Sequence, residues 1–81
     1  MQNSVTLQVV KSFEGQAVDC SEVEIAKDLS NLKNFSTKVS KGLNQGYTYH
    51  ISGKDMEMAF CKPMPASFVE QQLSFEIRNF G

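Results

Sequence analysis

The segment from residue 47 to residue 60 constrains the fold most, because its pattern predicts a β-hairpin. Apolar residues alternate with polar ones on both sides of residues 52–55, which have the composition of a turn. With Gly53 and Lys54 at the centre of a two-residue turn, one face of the hairpin is apolar and the other is polar. The predicted cross-strand pairs are Ile51 with Met56, Tyr49 with Met58 and Tyr47 with Phe60 on the apolar face, and His50 with Glu57 on the polar face.

A second strand pattern lies near the start of the chain. Residues 5–9 alternate Val or Leu with Thr or Gln, which is typical of a strand with one buried face. Glu14 and Gly15 interrupt this pattern. Residues 17 and 18 are a weaker candidate for a short strand that pairs back on the first one.

A helix is predicted from about residue 22 to residue 43. Ser21 and Glu24 match the capping box at its start, in which each side chain accepts a hydrogen bond from the other residue's backbone N–H. Asn34 is a poor helix former, so a kink near this residue stays open as an alternative. The residues that recur at spacings of three and four, and so share one face of this helix, are Ile25, Leu29, Leu32, Ser36, Val39 and Leu43.

The C-terminal segment is predicted to hold the last strand. Pro63 and Pro65 prevent the hairpin strand from continuing through residues 62–65, because proline lacks the N–H that a ladder needs. Residues 72–79 then alternate apolar and polar side chains, which is typical of a strand. Residues 66–71 fit either the beginning of that strand or a short helical turn.

These elements predict an α+β fold in which a small antiparallel sheet of four to five strands packs one face against one amphipathic helix. The predicted order is β(β)αβββ. At 81 residues, the chain is expected to form a single domain over residues 1–81. The other face of the sheet is left for water or a partner and is predicted to carry Gln8, Val10, Thr48, His50, Glu57, Ala59, Cys61, Glu76 and Arg78.

The composition is that of an ordinary globular protein, with 41% hydrophobic and 21% charged residues. The net charge of −1 provides no general attraction for nucleic acid or anionic lipid. We expect a cytoplasmic protein, because neither a membrane-span-length apolar run nor a signal-peptide pattern is visible. Cys20 and Cys61 are then expected to be reduced thiols, and a disulfide between them in an exported protein is the alternative.

The sequence contains no phosphate-binding loop, paired metal-ligand spacing or catalytic triad motif, so no cofactor and no metal are expected. His50 and Glu57 are weak candidates for a catalytic pair, because a carboxylate beside an imidazole can orient it as a general base. Cross-strand pairs of this kind also stabilise sheets that have no catalytic role. A small enzyme centred on these two residues is therefore the third functional hypothesis.

The first hypothesis is a non-enzymatic interaction or accessory module, of the kind that mobile elements carry as accessory or inhibitor proteins. It would act through an exposed sheet face or edge, either alone or as a homodimer. Its candidate partner-binding residues are Val10, His50, Met64, Phe68 and Phe80. The second hypothesis is nucleic-acid binding through one face of the helix, formed by Lys27, Asn31, Asn34, Lys38 and Lys41.

Overall fold

The strands form one antiparallel sheet, and two helices pack against it. The structure is a computed structural model that describes residues 4–80 and the side chains of residues 4–79. The predicted α+β class is confirmed. The elements in chain order are β1 (Ser4–Phe13), β2 (Gln16–Ala26), α1 (Leu32–Leu43), β3 (Thr48–Ser52), β4 (Glu57–Phe60) and α2 (Ala66–Phe80). The order of the strands in the sheet is β2-β1-β3-β4, so β2 and β4 are its edges.

The first two strands form a long hairpin. Its two-residue turn has positive φ at both positions, 51° at Glu14 and 83° at Gly15, as a type I′ turn requires. The predicted strand at residues 17 and 18 is present and Ala17 pairs with Ser12 of the first strand, but β2 continues much further, to Ala26. A shift of register between Lys11 and Ser12 leaves an extra residue on β2 at Val18, which is a β-bulge.

The helix predicted from residue 22 to residue 43 is wrong in its first half, because residues 22–26 belong to β2 and α1 begins at Leu32. Val23 and Ile25 alternate with two glutamates, and this period of two matches the strand that they pair with. Ile25 alone of these residues belongs to the predicted helical stripe, and only because Leu29 follows it at a spacing of four. Pairing with β1 therefore overrides the local helix signal.

The chain between β2 and α1 turns sharply. Leu29 has φ +64°, a conformation that no helix contains. The Asp28 carboxylate accepts a hydrogen bond from the Ser30 N–H at 3.0 Å, and this bond lowers the pKa of Asp28. The Asn31 side chain accepts from the Ala26 N–H and donates to the Glu24 carbonyl, both at 2.9 Å, which fastens the end of β2 to the start of α1.

The predicted hairpin between residues 47 and 60 is confirmed, but its register is two residues away from the prediction. The loop has four residues instead of two, and its Gly53 N–H donates to the Met56 carbonyl at 2.8 Å. The Met56 side chain is buried in the core and does not take part in the ladder. A shift of two keeps every side chain on its predicted face. The observed pairs are Tyr49 with Phe60, His50 with Ala59, Ile51 with Met58 and Ser52 with Glu57.

The strand predicted over residues 72–79 is wrong, because residues 66–80 form the helix α2. Val69, Leu73 and Ile77 recur every four residues and are all buried, so they form the inward stripe of an amphipathic helix. The alternation in residues 72–79 fitted a strand equally well. The observed order is thus ββαββα, and the prediction of a single helix is also wrong.

One hydrophobic core joins the inner face of the sheet to both helices. Gly42 in α1 allows close contact with β3, because a methyl group at this position would overlap the Tyr49 hydroxyl. The Ser40 hydroxyl donates to the Met64 carbonyl at 2.6 Å and so links α1 to the segment before α2. The buried core residues are Leu7, Val9, Ile25, Leu32, Phe35, Val39, Leu43, Tyr49, Ile51, Met56, Phe60, Val69, Leu73 and Ile77.

Two buried serines on α1 provide a matched test of this packing. The Ser36 hydroxyl is buried and has no hydrogen-bond partner within residues 4–80, whereas the Ser40 hydroxyl has one. We expect Ser36→Ala to raise the free energy of unfolding by about 0.5–1 kcal/mol, because it removes an unsatisfied group and favours the helix. Ser40→Ala should lower it by about 1 kcal/mol. Urea denaturation followed by circular dichroism measures both, and an equal loss in the two variants would contradict the packing described.

Candidate binding groove

An open groove of about 580 Å³ lies between α1 and the inner face of β1 and β2. Its apolar floor consists of Val9, Val23, Ile25, Phe35, Val39 and Tyr49. Its polar rim consists of Lys11, Asp19, Ser21, Asn31, Asn34, Thr37, Lys38 and Lys41. Ligand sites in proteins combine apolar surface with polar groups that orient the ligand, and this groove has both, with more polar than apolar lining residues.

The alternation of β2 explains how the groove forms. Asp19, Ser21, Val23 and Ile25 all point to the inner face of the sheet, because they are two residues apart. Ile25 is fully buried, Val23 is half-buried, and Ser21 and Asp19 are exposed. The helices therefore bury the C-terminal end of β2 and leave the inner face of this strand more exposed towards the hairpin turn.

The groove lies beside a free sheet edge. Within residues 4–80, β2 pairs with β1 alone, so the other side of this strand of 11 residues is an open edge. An edge strand presents unpaired backbone N–H and C=O groups that can bind another strand. One ligand could therefore contact both the apolar floor of the groove and the free edge of β2.

The rim of the groove is positively charged. Lys38 and Lys41 are three residues apart on α1 and line the groove, and Lys11 lines it from β1. Asp19 is the one acidic residue among its lining side chains. The Lys11 ammonium lies 4.1 Å from the centre of the Tyr47 ring, which is a cation–π contact with a residue outside the groove lining. Three lysines against one aspartate favour an acidic ligand.

The helix face predicted for nucleic acid is only partly assembled. Asn34, Lys38 and Lys41 lie along α1 and line the groove. Asn31 also lines it, but its side chain is already hydrogen-bonded to backbone groups at the end of β2. Lys27 lies in the connection between β2 and α1, so it does not belong to a helix face.

The outer face of the sheet holds Val10 and His50, which are cross-strand neighbours on β1 and β3. The predicted contact between His50 and Glu57 is present, with 3.0 Å between Nε2 and Oε2, although the residues are diagonal rather than opposite. Their side chains are 47% and 71% exposed, so water screens the pair. Glu76 and Arg78, which were predicted on this face, lie on α2 instead.

The remaining candidate contact residues lie near or on α2. Met64 is half-buried and packs against the core. Phe68 is exposed on α2, as is Phe75, whereas a strand over residues 72–79 would place Phe75 on the apolar face with Leu73 and Ile77. The seven-residue spacing of the two phenylalanines could have indicated a shared helix face. The Phe80 side chain lies outside the described part of the chain.

The two cysteines are free and exposed. Cys20 lies on β2 and Cys61 follows β4, so two strands separate them. Three strand spacings of about 4.8 Å give a distance of about 14 Å, whereas a disulfide needs its Cα atoms within about 7 Å. The alternative of a disulfide within one chain therefore conflicts with this fold.

Comparison with protein families, curated proteins and solved structures gives no match. Within residues 4–80, no three His, Cys, Asp or Glu side chains lie together as a metal site would need. In the same part of the chain, no helix is long and apolar enough to cross a membrane. The geometry and charge of the described surfaces are therefore the features that bear on function.

Thiol titration tests the separation of the cysteines. We expect a disulfide-exchange reagent to detect two thiols per native chain without prior reduction, because both are exposed and too distant to pair. Cys20→Ser should leave one reactive thiol. An unreduced native protein with no reactive thiol would contradict the strand order described here.

Proposed function

We propose that this protein is a non-enzymatic binding module that holds an extended acidic segment of a partner protein in the groove between α1 and β2. The proposal rests on one observation: an apolar floor, a lysine-bearing rim and a free strand edge occur together at this place. Each of these features is common on protein surfaces. Together at one place, they favour an extended acidic segment as the ligand.

The free edge of β2 favours an extended partner. A segment that adds to an edge strand obtains affinity from backbone hydrogen bonds, and specificity from every second side chain. On β2, every second side chain from Asp19 to Ile25 points towards the groove. A strand added beside β2 would direct its own alternate side chains to the same side, over Val23 and towards α1.

The charges favour acidic side chains on that segment. Carboxylates that share the groove-facing side of the segment with apolar residues could approach Lys38 and Lys41 while those apolar side chains cover the floor of the groove. Surface ion pairs of this kind contribute about 0.2–1 kcal/mol each and act strongly on the rate of association. Val23 is the most exposed residue of the apolar floor, and a nucleic-acid backbone would gain little from covering it.

The test uses two displayed libraries of extended peptides with the length of β2, 11 residues. In one library every second position, which would face the groove, is drawn from apolar residues, Asp and Glu, and in the other these positions are drawn from apolar residues, Lys and Arg. The positions between them are Ser or Thr in both libraries. We expect binders from the acidic library. Fluorescence anisotropy should show that Lys38→Glu combined with Lys41→Glu weakens them about tenfold or more, which is about 1.4 kcal/mol.

Lys33→Glu is the matched control, because Lys33 is exposed on α1 but does not line the groove. This variant should bind the selected peptides as the unmodified protein does. Binders from the basic library alone, or equal losses in the groove and control variants, would contradict the proposal. Binding of a single-stranded oligonucleotide that depends on Lys38 and Lys41 and weakens steeply with salt would favour the nucleic-acid alternative.

A further inference from the structure

The solvent side of α2 carries two exposed aromatic rings. The side chains of Phe68 and Phe75 are 49% and 61% exposed. They are seven residues apart, which is close to two helical turns, so they lie on the same side of the helix about 10.5 Å apart along its axis. Gln71 and Gln72 lie between them and line a shallow hollow together with both rings and Glu76.

The rings cannot be buried by rotation of the helix. The opposite side of α2 carries Val69, Leu73 and Ile77, which are buried against α1 and the sheet. Turning α2 to hide Phe68 and Phe75 would expose these three residues instead. Covering the rings therefore requires another molecule.

We propose that this face of α2 binds the same face of a second copy of the chain, with the two helices antiparallel. A two-fold axis midway between Phe68 and Phe75 passes between Gln71 and Gln72. Each Phe68 then faces Phe75 of the other copy, and the glutamine amides meet near the axis, where they can both donate and accept hydrogen bonds. The same arrangement places Glu76 opposite Ser67, so the carboxylates do not face each other.

Charge favours a second copy here over other places on the surface. The centre of the α2 face is neutral, because Gln71 and Gln72 separate the two rings. Two copies of the groove would bring lysines together. Two copies of the outer sheet face would bring together Glu22, Glu24 and Glu57, which are all exposed there. The α2 face is thus free of the like-charge repulsion that self-pairing would meet at those two surfaces.

Charge substitution at the axis tests this arrangement. Gln72→Glu and Gln72→Lys each place two like charges near the axis, while Glu and Lys keep the helix propensity of Gln. We expect sedimentation equilibrium to show a dimer for the unmodified protein and a monomer for each variant alone. An equimolar mixture of the two variants should form a heterodimer, because opposite charges then meet at the axis.

Gln45→Glu is the matched control, since Gln45 is exposed after α1 and outside α2. It should leave the dimer unchanged, and circular dichroism should show that every variant is folded. Phe68→Ser combined with Phe75→Ser should also give a monomer. A monomeric unmodified protein at every concentration, or a dimer that persists in both Gln72 variants, would overturn the inference. Lys38→Glu with Lys41→Glu should leave self-association unchanged, which separates this result from the test of the groove.

Discussion

The pairing of β2 with β1 determines where α1 begins, and through that the shape of the candidate site. Because residues 22–26 are taken up by the ladder, the helix can start only after the turn that Asn31 fastens. The 12 residues of α1 then span about 18 Å, whereas the 11 residues of β2 span about 36 Å. A helix of this length can cover only about half of the strand. The uncovered part of the inner face becomes one side of the groove.

Much of the sheet could be predicted because side chains alternate between its faces with a period of two, so a register error of two residues leaves each side chain on its correct face. An error of two residues in the register of the β3–β4 hairpin left Tyr49, Ile51 and Phe60 on the apolar face. The helix boundaries were less predictable, because Ile25 fits both a strand, together with Val23, and a helical stripe, together with Leu29 and Leu32. Long-range pairing with β1 decides between these alternatives, and no window of local sequence contains that information.

The helix α2 is the opposite case, in which a pattern that predicts a strand belongs to a helix. Leu73, Phe75 and Ile77 alternate along the chain, but Leu73 and Ile77 are buried while Phe75 is 61% exposed. A strand would place all three on one face, whereas a helix separates Phe75 from the other two by roughly half a turn. Val69 supplies the missing member of the buried stripe. A four-residue spacing that begins before residue 72 was therefore the better indicator.

Only the α1 side of the groove was accessible from sequence. Asn34, Lys38 and Lys41 have a helical spacing, so their common face could be predicted, but their partners on β1 and β2 could not while β2 was read as helix. The groove and the α2 face have no lining residue in common. A dimer formed through α2 would therefore keep two grooves open and related by a two-fold axis. A partner with two acidic segments would bind the first groove from solution and the second in an intramolecular step. Two weak contacts, each of the size expected for surface ion pairs, would then combine into a much tighter complex.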